Sequence, residues 1–431
     1  MLQDEIRQRL GINKSSNEND FMLWMDCYHG EYPWLGGDNL ESLGLAASIS
    51  SEFARLATIE LESEIVNDEE LNEIYQEVID HCRNFTEYAM AFGGLIIKPY
   101  PVGDEIKFDF ATPDRYVIKD INSHVVFIDR TIKFEDDKDV YYTRLEEHVK
   151  DGHWTVTNSF YRSENYSTLG EPCAQNSIAE WEGIVPESVI EYDRPLFAYL
   201  KNPQANNLDW QNKEGVSCFA RALSLIQDAD EQYQRTLWEF RGSELAIDAD
   251  VTVLTQRGEL PHGKERLFRN LGIDQESGFY EVFSPAIRDS SLFNGLNKIL
   301  RRIEFTVGLA YGTLSEVDQV DKTATEVKAS KQRSYATIVD IQKEIQKALT
   351  ETAELICFWL NKQEPDISFS FDDSLIVDSE TEQKIRMQEV AAGLVKPENY
   401  LMWRYGISEE EAKKMLPGVE ETDDEDDETV E

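Results

Sequence analysis

The chain has 431 residues, room for roughly two to four domains, and its 41% hydrophobic content is that of a folded protein. It holds no apolar run of about 18 residues and opens on the polar M-L-Q-D-E-I-R-Q-R-L, so neither a membrane span nor a secretory segment is expected and the protein is expected to stay in the cytosol. Asp and Glu number 84 against 42 Lys and Arg, a formal balance of −42, which argues against a protein that grips a phosphate backbone by neutralising it.

Residues 40–66 place Leu43, Ala47, Ile49, Phe53, Leu56 and Ala57 near helical period, and a second helix is predicted over Asp68 to Phe92. The period then falls to two. Ile106, Phe108 and Phe110 alternate with polar residues, and Val125 to Ile128, Tyr141-Tyr142 and Trp154 to Tyr161 follow at short intervals, so residues 95–200 read as an antiparallel β-rich layer. Helical period returns at Gly215. Phe219, Leu223, Ile226, Tyr233, Leu237 and Phe240 make one stripe, with Asp228, Asp230 and Glu231 assigned to the solvated side. A short αβ insert comes next, with a strand at Asp250 to Leu254, a helix at Lys264 to Leu271 and a strand at Phe279 to Phe283. Leu292, Leu296, Ile299, Leu300, Ile303 and Val307 then form the stripe of another helix.

Residues 312–322, G-T-L-S-E-V-D-Q-V-D-K, are polar, acidic and without helical period, and read as a loop. Thr323 with Glu326 forms a capping box that opens a helix running to Asn361. At about 38 residues this helix would span about 57 Å, more than the diameter of a small domain. The strand-like I-S-F-S-F follows, then capping boxes at Ser379 with Glu382, for a helix to Gly393, and at Ser408 with Glu411, for a helix to Leu416. Between them Pro397 suits a first helical turn. The terminal E-E-T-D-D-E-D-D-E-T-V-E is a block of like charge expected to be disordered.

Several patterns that resemble chemistry fail on inspection. Gly258, Gly263 and Lys264 match the first positions of a phosphate-binding loop, but Glu265 stands where a hydroxyl must ligate magnesium. The six histidines lack metalloprotease or deaminase spacing, and no serine sits in a nucleophile elbow. Asp136-Asp137 and Glu146-Glu147 are read as solvated charge, because adjacent side chains on a strand point to opposite faces. Cys27, Cys82, Cys173, Cys218 and Cys357 are scattered, without zinc spacing, and are expected to be buried free thiols. The stripe Phe219, Tyr233, Phe240 is read as core or subunit interface rather than a base-stacking platform. No catalytic residue, cofactor or metal is predicted.

The order of several segments carries more. P-L-F-A-Y-L-K-N-P-Q-A-N-N-L-D, G-V-S at 215–217 and W-E-F-R at 238–241 resemble the portal proteins of long-tailed phages that infect Gram-positive bacteria. So do W-x-x-x-Y-H-G from Trp24, the S-L-G-L-A-A-S-I-S-S-E-F-A-R-L helix, A-F-G-G-L-I-I-K-P at 91–99, Y-Y-T-R-L-E-E-H at 141–148, G-L-A-Y-G-T-L-S, K-T-A-T-E at 322–326, A-A-G-L-V-K-P and S-E-E-E-A. The resemblance covers nearly the whole chain in order, up to about Gly418.

That resemblance implies an α+β portal-type fold that does no catalysis. Its map would be a wing at 1–214, a first stem helix at 215–244, a clip at 245–287, a second stem helix at 288–311 and a tunnel loop at 312–322. A long helix with return strand at 323–373, a crown at 374–418 and the acidic tail at 419–431 would complete it. About twelve copies would form a ring at one capsid vertex, assembled in the host cytoplasm. Double-stranded DNA would pass through it, the terminase large subunit and later a head-completion or tail adaptor would dock on it, and major capsid and scaffolding proteins would surround it. Leu314, Glu316, Val317, Asp318, Val320 and Asp321 would face the DNA, and Arg257, His262, Lys264, Arg266 and Arg269 would meet the motor or adaptor. The acidic balance suits a conduit, whose wall must not adhere to DNA. The rival readings are a minor capsid or scaffolding protein without a channel, and a packaging ATPase, which Glu265 weakens.

Overall fold

The computed structural model describes residues 2–11, 18–36, 41–103, 105–242, 246–249, 268–270, 280–283, 288–316, 324–371, 386–405 and 409–416. The chain divides into two units, residues 1–371 and 372–431. Two helices open the first unit where the sequence reading placed none: α1 (Leu2–Arg9) and α2 (Glu18–His29). Each buries part of its apolar surface. Ile6 enters a cluster with Val117, Val126, Ile128, Leu145 and Leu169, and Phe21, Trp24 and Cys27 are buried.

The stripe read in residues 40–66 becomes α3 (Leu45–Thr58), which buries Ala46, Ile49, Phe53 and Ala57, spaced as one helical face. It stops at Thr58. Residues expected to continue the helix form a strand, β1 (Leu61–Ile65), because Leu61, Ser63 and Ile65 alternate with glutamates and a partner strand is at hand. The predicted helix over Asp68 to Phe92 is two, α4 (Glu69–Asp80) and α5 (Cys82–Phe92), broken at His81, whose N–H turns back to the Val78 and Ile79 carbonyls. Asp68 caps α4 by accepting the Leu71 N–H at 3.0 Å. From α4, Asn72 accepts the Ile65 N–H and Gln76 donates to the Ser63 carbonyl, so side chains cover the free edge of β1.

The β-rich reading of 95–200 holds, as two sheets. One has the order β10 (Ala198–Lys201), β2 (Gly94–Val102), β3 (Glu105–Ala111). The other runs β4 (Tyr116–Asp120), β5 (His124–Glu135), β6 (Lys138–Asp151), β7 (His153–Ser163), β8 (Glu171–Pro172), with β9 (Glu187–Ile190) also on β7. Alternation along β5 divides its side chains: Val126 and Ile128 face the Ile6 cluster, while Val125 and Phe127 pack with Ile96, Tyr116 and Phe197. Asp136 and Asp137 are not strand residues. They are the two-residue turn joining β5 to β6, both at positive φ (48° and 60°). Glu146 also departs from expectation, because its side chain is largely buried against Lys98, Arg144 and His148.

At Gly215 the chain crosses Gly93 so closely that a Cβ on Gly215 would lie 1.8 Å from the Gly93 carbonyl oxygen. Cys218 donates to the Met90 carbonyl there, so backbone groups that a helix would need are already used. The helix predicted from Gly215 therefore begins later, as α6 (Leu223–Gly242). Asp230, assigned to the solvated face, is fully buried: it accepts the Leu43 N–H (2.8 Å), the Trp34 indole N–H (3.0 Å) and the Ser42 hydroxyl (3.1 Å). Of the thiols, Cys27, Cys82, Cys218 and Cys357 are buried, whereas Cys173 is half-buried.

In the predicted insert, β11 (Ala246–Ala249) pairs parallel to β12 (Phe268–Asn270) and antiparallel to β13 (Tyr280–Phe283). Phe268 to Asn270 were expected in a helix; they add to a sheet edge instead. Asp250 to Leu254, the predicted first strand, and the 258–265 phosphate-loop look-alike lie outside the described residues. α7 (Asp289–Val307) packs on α6, and α8 (Ala324–Trp359) runs 36 residues, about 54 Å. Its Ile338, Ile341, Ile345, Leu349 and Ile356 are buried on the side that meets α3, β2 and β10. Then β14 (Ile367–Phe371) pairs antiparallel with β1.

In the second unit, residues 386–391 are helical (α9), followed by α10 (Pro397–Tyr405) and α11 (Glu409–Met415). Ala412 is fully buried, and Arg386 stacks on Trp403 at 4.3 Å. The capping boxes at Thr323, Ser379 and Ser408 and the tail 419–431 involve residues outside the described set.

Candidate functional site

α7 ends at Gly308, whose φ of 95° turns the chain into left-handed backbone. A Cβ there would meet the Thr337 hydroxyl oxygen at 2.7 Å, so α8 crosses the end of α7 at a point only glycine allows. Leu309 then turns inward and is fully buried.

Residues 312–316 are gripped from α7 rather than loose. Glu304, fully buried on that helix, aims its carboxylate at them. Its Oε1 accepts the backbone N–H groups of Gly312 (3.1 Å), Leu314 (2.6 Å) and Ser315 (2.9 Å), and its Oε2 accepts the Ser315 hydroxyl (2.9 Å). A buried carboxylate is expensive unless donors surround it, and here the loop backbone supplies them. One turn and then two turns earlier, Arg301 and Asn297 complete the grip. Asn297 accepts the Glu316 N–H at 2.8 Å and donates to the Glu316 carbonyl at 3.2 Å, as does Arg301 at 3.2 Å. Positions 297, 301 and 304 are separated by four and three residues, so one face of α7 holds the whole stretch.

α8 holds the same junction from its side. The Arg333 guanidinium lies over the Phe305 ring at 4.5 Å and the Tyr311 ring at 5.4 Å, and donates to the Leu309 carbonyl at 3.3 Å.

Of the six loop residues singled out from the sequence, Leu314 is half-buried and Glu316 is exposed at the end of this clamp. Val317, Asp318, Val320 and Asp321 lie outside the described residues, as do Arg257, His262, Lys264 and Arg266. Arg269 stands in β12 opposite Asp248. Glu304, Asn297 and Arg301 were missed. Glu304 left a trace: it sits between Ile303 and Val307 on the apolar stripe, where a charge must find partners.

The buried charged cluster of the β layer is the other polar concentration. Lys98 and His148 meet Glu146 Oε1 at 2.9 and 2.7 Å, and Arg144 meets Glu146 Oε2 at 3.3 Å. Burial alone would raise the Glu146 carboxyl, but Lys98, His148 and Arg144 outweigh it and hold it far below the usual carboxylate range. Burial pushes His148 down, against the pull of Glu146. The cluster lies inside the fold, between β2 and β6, and serves its packing. Among the described residues no group of three His, Cys, Asp or Glu could hold a metal ion, and no helix is long and apolar enough to cross a membrane.

No curated protein matches the chain. Among solved structures it is similar to a chain of the "Neck of native GTA particle computed with C12 symmetry", at 11% identity and a TM-score of 0.44, covering 91% of this chain and 94% of that one. The family described as "Phage portal protein, SPP1 Gp6-like", structural rather than enzymatic, matches residues 45–425, and the chain therefore belongs to that family of phage portal proteins.

Proposed function

We propose that this portal protein forms a closed ring of about twelve copies at one capsid vertex, and that double-stranded DNA passes through the ring during packaging, retention and ejection. In this reading residues 1–214 are the wing and 215–244 and 288–311 the two stem helices. The clip is 245–287, the long helix and return strand 323–373, and the crown 374–418. The clip, with Arg257, His262, Lys264, Arg266 and Arg269, would receive first the terminase large subunit and then the head-completion or tail adaptor. Major capsid and scaffolding proteins would contact the outside, and assembly would take place in the host cytoplasm.

The clamp on residues 312–316 is the observation that carries this reading. A loop that lines a constriction must keep its position while DNA slides past, and a base held through its backbone on one helix face meets that need. The packed pair α6 and α7 supports it too. Trp238 is 69% exposed and Phe293 47% exposed on that pair, a surface that neighbouring copies would cover.

Electron microscopy of the purified protein tests the ring: rings with a central hole are expected, and a monodisperse monomer at all concentrations overturns it. For the loop, replacing Glu316, Asp318 and Asp321 together by Lys should leave rings intact, because the clamp grips the Glu316 backbone and leaves its side chain free to change. The same variant should stall packaging by creating phosphate contacts. Full-length packaging at the parental rate would show that the loop does not face DNA.

A further inference from the structure

Resting on the ring reading, we infer that the lateral contact between copies is a knob and a hole: Trp210 of one copy enters the aromatic pocket between α2, α5 and β3 of the next.

The knob is a built feature. Trp210 is 85% exposed, in the loop that leaves β10 at Lys201 and returns at Gly215. That loop is held by its own side chains. Asn206 accepts the N–H groups of Leu208 and Asp209, Asp209 accepts that of Gln211, and Asn212 accepts that of Glu214. Arg221 and Lys201 tie it down by donating to the Ala205 and Lys213 carbonyls. A loop backbone held in this way lowers the ordering cost that binding would otherwise carry, and Trp leads the residues that dominate protein interfaces.

The hole is a cavity of about 470 Å³ whose apolar wall is Met25, Tyr28, Phe85, Tyr88, Phe92 and Phe110. Its rings already pack edge to face: Tyr28 on Phe92 at 5.2 Å and Tyr28 on Tyr88 at 6.2 Å, an arrangement that a further ring extends. Asn84 and Asp114 at its rim offer acceptor oxygens for an indole N–H.

Topology selects a second copy as the occupant. The three-stranded sheet has the order β10, β2, β3; the knob's loop springs from β10 at one edge and the hole is closed by Phe110 of β3 at the other. A copy leaves its own pocket unfilled, since Trp210 is almost fully exposed. Two unlike surfaces on one copy, neither filled by that copy, are what a head-to-tail contact requires, and repetition of such a contact gives a ring where the rotation between copies closes.

Trp210→Ala should fold as the parent does, with unchanged circular dichroism and thermal midpoint, because the indole makes little contact within its own chain. It should need on the order of thirtyfold more protein for half-maximal ring assembly, the effect of losing an interface hot spot, and Trp210→Phe should recover part of this. Trp210→Cys with Tyr88→Cys, in a chain whose half-buried Cys173 is replaced by Ser, should cross-link between copies into a ladder that ends at the ring when a disulfide oxidant is added at a protein concentration raised to offset the lost indole. If the parent forms rings but Trp210→Ala assembles at the parental concentration and the cysteine pair gives no ladder, the knob-and-hole contact is wrong while the portal ring stands. If the parent forms no rings, the ring reading fails and takes this contact with it.

Discussion

Single side chains decide what the loop after α7 can do, and Glu304 is the one to change. Glu304→Ala removes the acceptor for three N–H groups and a hydroxyl, and should cost about 2 kcal/mol or more where water reaches those groups poorly. Glu304→Gln keeps a carbonyl oxygen for the three N–H groups and can donate to the Ser315 hydroxyl, so it should behave as the parent. Hydrogen exchange reads the difference directly. The Gly312, Leu314 and Ser315 amides should exchange fast in the Ala variant and slowly in the Gln variant, with α7 protected in both. Equal protection in all three proteins would mean that Glu304 does not hold the loop. Asp136 and Asp137 offer a gain instead of a loss. Both sit at positive φ in a two-residue hairpin turn, where Asn-Gly is the preferred pair, so Asp136→Asn with Asp137→Gly should raise stability by about 0.5–1 kcal/mol, seen as a higher denaturant midpoint at constant m.

Elements join such residues into units that respond to solvent together, as the Lys98, Glu146 and His148 cluster between β2 and β6 does. His148 is depressed in the folded state, so the stability it contributes is complete above its unfolded pKa near 6.5 and starts to fall once the pH drops below that value. Glu146 is depressed too; its contribution is complete above the ordinary carboxylate range near 4.5 and is lost as pH falls towards its folded value. Unfolding free energy should therefore decline gently from about pH 6.5 and steeply below about pH 4.5. Glu146→Gln leaves Lys98 buried without its counter-charge, should cost about 3 kcal/mol at neutral pH, and should flatten the acid limb. A variant whose acid limb is as steep as the parent's would assign that limb to other carboxylates.

Elements are also where the sequence was most and least readable. The stripes of α3, α7 and α8 were legible because each buries one continuous face at helical period. β1 was not, because five residues of alternation are too few to outweigh the helix before them, and the partner that makes them a strand arrives some 300 residues later. The late start of α6 was equally hidden. It is fixed by the Gly93–Gly215 crossing, a contact between distant segments that no local pattern encodes. The loop 312–316 was found by its lack of period, yet what holds it is Glu304, a residue read past as part of a helix. Asp230 repeats the lesson. A buried acid with well-placed donors looks, in sequence, like a solvated one.

For the molecule as a whole, the excess of acid is the property that bears most directly on its task. At −42 per copy, a ring of twelve would carry about −500 formal charges, damped by counterions over about 8–10 Å at cellular salt. A protein that holds DNA gains affinity by releasing the counterions of each phosphate it neutralises, and its binding falls steeply as salt rises. With twice as many carboxylates as cationic side chains this chain has little to release, and in the proposed ring its wall would repel the backbone passing through. Free linear DNA should therefore bind the assembled ring weakly, and the logarithm of the binding constant should change little with the logarithm of salt concentration, far from the slope of about −0.9 per phosphate contact. Added salt should, if anything, help DNA enter, since it screens the repulsion at the mouth of the ring. Fluorescence anisotropy of a labelled duplex across a salt series measures both quantities. Nanomolar binding at physiological salt, or a steep loss of affinity with salt, would mean that cationic side chains are gathered along the path of the DNA despite the overall balance, and that the conduit works by holding DNA rather than by repelling it.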